Sequence, residues 1–143
     1  ENMEKYIRLP EITANIKHVA DAPFIRNYVN ENIRKIADKY SIIADGRDMG
    51  TVVFPDADFK FYLDASLEVR AKRRFSESQA KNAGITLREV EEQIAQRDGD
   101  DQNRKFGKLQ AASDAIFVDT TNLEINAVVQ IITKTIQSKY PVI

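Results

Sequence analysis

Three short apolar runs, at residues 41–44, 59–63 and 115–118, limit what this chain can fold into more than any other feature. Each is too short for a helix and is closed by glycine or an acidic residue, so each reads as a buried strand. The middle run, Phe59-Lys60-Phe61-Tyr62-Leu63, is rich in aromatics and ends at Asp64. Helical patterns separate and flank these strands. The order helix, helix, strand, strand, helix, helix, strand, helix predicts an α/β fold around a parallel sheet.

The helices carry their own punctuation. Residues 9–20 open on Pro10 and Glu11 and repeat Ile12, Ile16 and Val19 on one face. Asp21 is the expected N-cap of a helix from residue 23 to 40, with Ile25, Val29, Ile33 and Ile36 as its buried stripe. Ser66 caps a helix reaching toward Gly84, and Thr86-Leu87-Arg88-Glu89 matches a capping box. The run at 98–105 is almost wholly polar and is expected to be exposed and mobile. A final helix at about 123–138 has Ile125, Val128, Ile131, Ile132 and Ile136 as its core face.

Composition removes several functional classes. There is no cysteine, which excludes disulfides and thiolate metal sites, and the single His18 excludes a histidine cluster. A net charge of −1 gives no global case for nucleic acid or membrane partners. No run of 18 apolar residues is present and no signal-peptide pattern opens the chain, so a cytoplasmic location is expected.

Three groups of residues invite a chemical reading, and each has a plainer one. In Asp45-Gly46-Arg47-Asp48, glycine with an arginine–aspartate pair is ordinary turn chemistry. The sharper reading has Arg47 binding an anion through its planar fork while Asp48 accepts donors from a polar ligand. Asp45, at a strand end, is placed like an acidic residue that holds magnesium in phosphate-transfer enzymes. Arg70, Arg73 and Arg74, spaced i, i+3 and i+4, share a helical side. They are either a solvated surface or a site neutralised by an oligophosphate. Arg97, Asp101 and Arg104 share a face of any continuous helix, as a plain salt bridge or as ligand contacts, with Gly99 between them as a candidate hinge.

Residues 43–55, Ile-Ala-Asp-Gly-Arg-Asp-Met-Gly-Thr-Val-Val-Phe-Pro, followed by Phe61-Tyr62-Leu63-Asp64-Ala65-Ser66, closely resemble bacterial cytidylate kinase. The polar run from Arg97 to Arg104 is similar to that family's lid. The resemblance implies the three-layer α/β/α parallel sheet of the nucleoside monophosphate kinases, with residues 1–40 ending the helical substrate-binding region. Residues 41–74 and 108–143 would form the core, and 75–107 the lid. It implies transfer of the γ-phosphoryl group of ATP to CMP or dCMP, with Mg2+. By resemblance Arg26 contacts cytosine, Asp48 is its acidic partner, and Arg47 holds the CMP phosphate. Arg97 and Asp101 resemble the pair that reads the pentose. Arg104 and Arg73, with Arg70 and Arg74, surround the phosphates being transferred, so Arg47, Arg73 and Arg104 are the expected catalytic arginines.

The sequence departs from the family pattern twice. A serine that helps recognise cytosine falls on Lys17, and there is no Gly-x-x-x-x-Gly-Lys-Ser/Thr phosphate loop, the first glycine being Gly46. In the family that loop lies near the start. The expectation is therefore the C-terminal two-thirds of such a kinase, needing an N-terminal segment of the same protein, monomeric when complete, and inactive as these 143 residues alone. The rivals are a kinase preferring UMP and a non-catalytic nucleotide-binding module. An RNA-binding surface on Arg70–Arg74 is disfavoured by the charge balance and the lack of interleaved aromatics.

Overall fold

Phe61–Asp64 (β1) and Ile116–Asp119 (β2) pair in parallel, with Phe61 opposite Ile116 and Asp64 opposite Asp119. The computed structural model describes residue 12, residues 22–79 and residues 84–140. It divides into two compact units, Glu1–Asp45 and Gly46–Ile143.

In the first unit, Ile12 is helical. The rest of the helix expected at 9–20, with Lys17 and His18, lies outside the described residues. Helix α1 spans Pro23–Ala37. Ala22 takes the N-cap position expected of Asp21, itself outside the described residues, and Pro23 supplies the fixed φ and missing N–H that a first turn tolerates. Arg34 and Lys35 in the last turn complement the helix dipole. The anticipated stripe is only half covered: Ile25 and Ile33 are half-buried, while Val29 and Ile36 are exposed. An apolar stripe shows which face seeks cover, not what covers it.

Residues 41–45 have no regular secondary structure, and Ile43 is fully exposed. The strand expected at 41–44 is thus not formed. A strand exists only as a paired element, and these residues make no ladder bond among the described residues.

In the second unit, Met49–Val53 is a single π-helical turn, into which the apolar run before Pro55 is wound. β1 follows, and then α2 (Leu67–Gln79), whose first turn is capped by Ser66 Oγ accepting from Val69 N at 3.3 Å. Helix α3 (Leu87–Asn103) opens on the expected capping box: Thr86 Oγ1 accepts from Glu89 N at 3.3 Å, and Glu89 Oε2 accepts from Thr86 N at 2.8 Å. α2 and α3 pack together, and Ala71 and Val90 are each 1 % exposed. The chain then enters β2, so two helices form the crossover that a parallel pair requires.

The ladder continues past the assigned strands, with Ile116 N donating to Lys60 O and Thr120 N to Asp64 O, both at 2.7 Å. The Tyr62 and Phe117 rings stack across the register at 5.4 Å, and Val118 is buried. Lys60 anchors the entry to β1 by donating to both carboxylate oxygens of Asp114, at 2.7 and 2.9 Å, and to Pro55 O. The last helix, α4 (Ile125–Lys139), ends beside that entry, where Tyr140 Oη donates to Asp58 Oδ1 at 2.9 Å. Its Val128, Ile132 and Ile136 are half-buried, whereas Ile125 and Ile131 are exposed. The observed sheet is therefore the small parallel part of the α/β arrangement the sequence predicts. No described helix is long and apolar enough to cross a membrane.

Candidate functional site

Asp100, Gln102, Asn103 and Lys105 of the polar run at 98–105 are exposed, as its composition suggests, yet much of the run is regular helix. Residues 98–103 continue α3 without a break, and Asp101 on its last turn is only 3 % exposed. Gly99 lies inside this helix, where an added Cβ would face open space, so packing does not demand a glycine there. After Asn103 the chain turns at Gly107, whose φ of 64° is the left-handed conformation that glycine adopts without strain. The turn brings Leu109 N to Asp101 O at 2.9 Å, which fixes the helix end.

Asp101 is buried because arginines meet its charge. Arg47 Nε donates to Asp101 Oδ2 at 2.6 Å. Arg97 Nε lies 3.8 Å from the same oxygen, and Arg104 Nη2 lies 3.4 Å from Oδ1. A buried carboxylate is tolerable only when paired in this way. The sequence spacing predicts the link from Arg97 to Asp101 to Arg104. It does not predict Arg47, which arrives from 54 residues away.

Arg47 is aimed by the turn that follows it. Asp48 O accepts from Val52 N at 2.9 Å and from Val53 N at 3.2 Å, and Met49 O accepts from Phe54 N at 2.7 Å. The wider turn lets Val53 insert its side chain to 1 % exposure, so the loop carrying Arg47 is tied to the core. Asp48 itself is buried at 5 % exposure, beside the arginine cluster in sequence.

Three guanidinium groups thus share one buried carboxylate. Arg97, Asp101 and Arg104 line one end of an open depression of about 550 Å3. The acidic side chains along the rest of it are engaged locally: Glu89 with Thr86, Glu92 with Arg88 Nε at 2.9 Å, and Asp100 with Gln96 Nε2 at 3.0 Å. The Thr86 hydroxyl and then its backbone N–H hold the Glu89 carboxyl below its usual range. The arginine end offers planar N–H forks of the kind that bind anions.

The other arginine group is not gathered on one point. Arg70 donates through Nη1 to Asp98 Oδ2 at 2.5 Å and through Nε to Ala65 O at 2.9 Å. Arg73 donates to Thr120 Oγ1, Thr120 O and Leu123 O at 3.1, 2.7 and 3.2 Å. Arg74 is exposed. Asp98 and Asp101, one turn apart on α3, thus hold Arg70 from α2 and Arg47 from the loop. Nothing in the sequence marks Thr120, and the sequence signal for Asp98 is an aspartate one turn before Asp101.

In the first unit, Arg26 lies half-buried on α1 and Asp45 is exposed. No three His, Cys, Asp or Glu side chains cluster to hold a metal among the described residues.

A family model described as Cytidylate kinase matches residues 1–138. The cytidylate kinase of Lactobacillus johnsonii is 47% identical over 133 residues, covering 93% of this chain and 58% of that protein. That of Thermosipho melanesiensis is 44% identical over 133 residues, covering 93% and 61%. That of Clostridium tetani is 41% identical over 138 residues, covering 96% and 61%. The chain spans about three-fifths of the length of the curated relatives it matches.

Proposed function

The chain belongs to the cytidylate kinase family, and from that premise we propose that the natural protein carrying these residues transfers the γ-phosphoryl group of ATP to CMP or dCMP. The observation that carries this reading is the convergence of Arg47, Arg97 and Arg104 on buried Asp101. Phosphoryl transfer asks little covalent chemistry of a protein; it asks for positioning and for charge stabilisation on phosphate oxygens. Arg47 binds the CMP phosphate, Arg104 sits where charge spreads during transfer, and Arg97 serves the pentose side. Asp48 reads cytosine, as in the family pattern. Arg70 and Arg73 would reach the transferring phosphates only by giving up their bonds to Asp98 and Thr120.

Asp45 is a single exposed carboxylate. This fits Mg2+, which takes one or two carboxylates and completes its shell with water and phosphate oxygens. Bound there, the ion would neutralise charge on the nucleotide phosphates. The 143 residues contain no glycine-rich phosphate loop, so by themselves they supply the monophosphate half of the site and do not turn CMP over. An assay of ADP release by the natural protein carrying these residues, with CMP, dCMP, UMP and AMP, tests the assignment. The expected result is a clear preference for CMP and dCMP; a preference for UMP or AMP overturns it.

A further inference from the structure

Lys60 carries a charge that phosphoryl transfer leaves unused, yet its side chain is only 8% exposed. A buried ammonium is costly unless fixed acceptors take up its protons. Here Pro55 O accepts one bond, and the two carboxylate oxygens of Asp114 accept at 2.9 and 2.7 Å. The backbone of Lys60 is fixed as well, because its carbonyl accepts from Ile116 N at 2.7 Å. The four-carbon stem is therefore pinned at both ends.

That stem lies against Gly50, inside the π-helical turn. A Cβ added at Gly50 would stand 3.3 Å from Lys60 Cδ, 3.5 Å from Lys60 Cγ and 3.7 Å from Ala112 Cβ. A free lysine would swing aside from such a methyl group; one held at its ammonium and its backbone does not. Glycine at 50 answers to this close approach, since its φ is not in the left-handed region. Lys60 thus touches the loop twice, with its stem at Gly50 and its ammonium at Pro55 O. Between the two points Phe54 N donates to Met49 O at 2.7 Å, and Val52 N and Val53 N donate to Asp48 O. Arg47 and Asp48 sit at the head of this clamped turn.

We infer that Lys60 is a positioning residue for the monophosphate half of the site: its stem and ammonium clamp residues 50–55 and so set where the loop presents Arg47 and Asp48. This rests on the kinase reading above and adds to it a residue that acts through the loop rather than on the nucleotide. Small displacements of positioned groups are expensive in an enzyme, so slack in the clamp reaches CMP through Arg47 and Asp48 before it reaches ATP.

The test uses the natural protein carrying these residues. Lys60→Met keeps a stem and removes the ammonium. KM for CMP is expected to rise about threefold to thirtyfold while KM for ATP changes by less than about twofold. The Val52, Val53 and Phe54 amides should exchange their hydrogens faster in this variant. Lys60→Arg, which restores the charge, is expected to recover part of the CMP loss. Gly50→Ala approaches the clamp from the other side: it should raise KM for CMP alone, and by less in a Lys60→Ala background, where the stem is gone. Unchanged KM for CMP in Lys60→Met and Gly50→Ala would overturn the role, and so would parallel rises for CMP and ATP, which mark a general loss of structure. An unmutated protein that does not use CMP overturns the kinase reading; unchanged amide exchange in Lys60→Met overturns the clamp whatever the substrate.

Discussion

Arg47 donates its Nε hydrogen to Asp101 Oδ2 at 2.6 Å, joining the loop before the π-helical turn to the last turn of α3. On the reading proposed above, the pair sets how Arg47 would meet the CMP phosphate. Arg47→Lys keeps the charge and removes the planar fork, so turnover with CMP should fall by about tenfold to a hundredfold. CMP affinity should change less than turnover. Steady-state kinetics of the natural protein beside calorimetric CMP binding would check this; weaker CMP binding with unchanged turnover would assign Arg47 to simple ground-state binding.

Asp48 is 5 % exposed and its carbonyl anchors the turn through Val52 N and Val53 N. Asp48→Asn preserves that backbone and the side-chain size while removing the charge. KM for CMP is expected to rise about tenfold, the scale of one hydrogen bond to a charged group, with KM for ATP unchanged. A parallel rise in both constants would make Asp48 a structural residue.

Arg73 makes three hydrogen bonds to Thr120 and Leu123 at the carboxyl end of β2. Arg73→Ala leaves two backbone carbonyls and a hydroxyl to find other partners. A loss of about 1 to 3 kcal/mol in urea unfolding is expected. Unchanged stability with a collapsed turnover would instead place Arg73 wholly on the phosphates.

Thr86 and Glu89 cap α3 reciprocally, and the bonds from Thr86 lower the Glu89 pKa from 4.5. A depressed folded pKa means stability that is present above the unfolded value and lost as pH falls through the folded one. Thr86→Ala should lower the melting temperature by about 3 to 5 °C at pH 7. The gap should narrow below about pH 4.5 without closing, because Thr86 Oγ1 still accepts from Glu89 N when the carboxyl is protonated. Melting curves at pH 7 and pH 3.5 suffice; a gap that widens in acid would contradict the capping box.

What the sequence reveals depends on the range over which the physics acts. The capping box at Thr86, the Ser66 cap and the strands around Phe61 and Phe117 are local patterns, and all form. The run at 41–44 has the same local pattern and forms nothing, because pairing needs a neighbour that local pattern does not specify. Exposure of the 98–105 segment is misjudged at Asp101 for a similar reason. Polarity alone cannot reveal that Arg47 will neutralise it from across the chain. The arginines at 70, 73 and 74 share a helical side as expected, yet the partners that separate Arg70 from Arg73 lie on other elements. The resemblance assigns Arg47, the Arg97–Asp101 pair and Arg104 to different parts of a nucleotide site, and the structure brings these four side chains to one place.

The parallel pairing of β1 with β2 joins Asp64 to Thr120 across 56 residues, and Arg47 meets Asp101 across 54. Closing a flexible loop of that size costs about 3 to 4 kcal/mol before any contact repays it. Local helices α2 and α3 can form without that cost, so they should precede both the strand pairing and the arginine cluster during folding. Damage to Arg47 or Asp101 would then accelerate unfolding while leaving the folding rate nearly untouched. The arginine–aspartate cluster would thus act as a kinetic fastener that prolongs the lifetime of the folded unit.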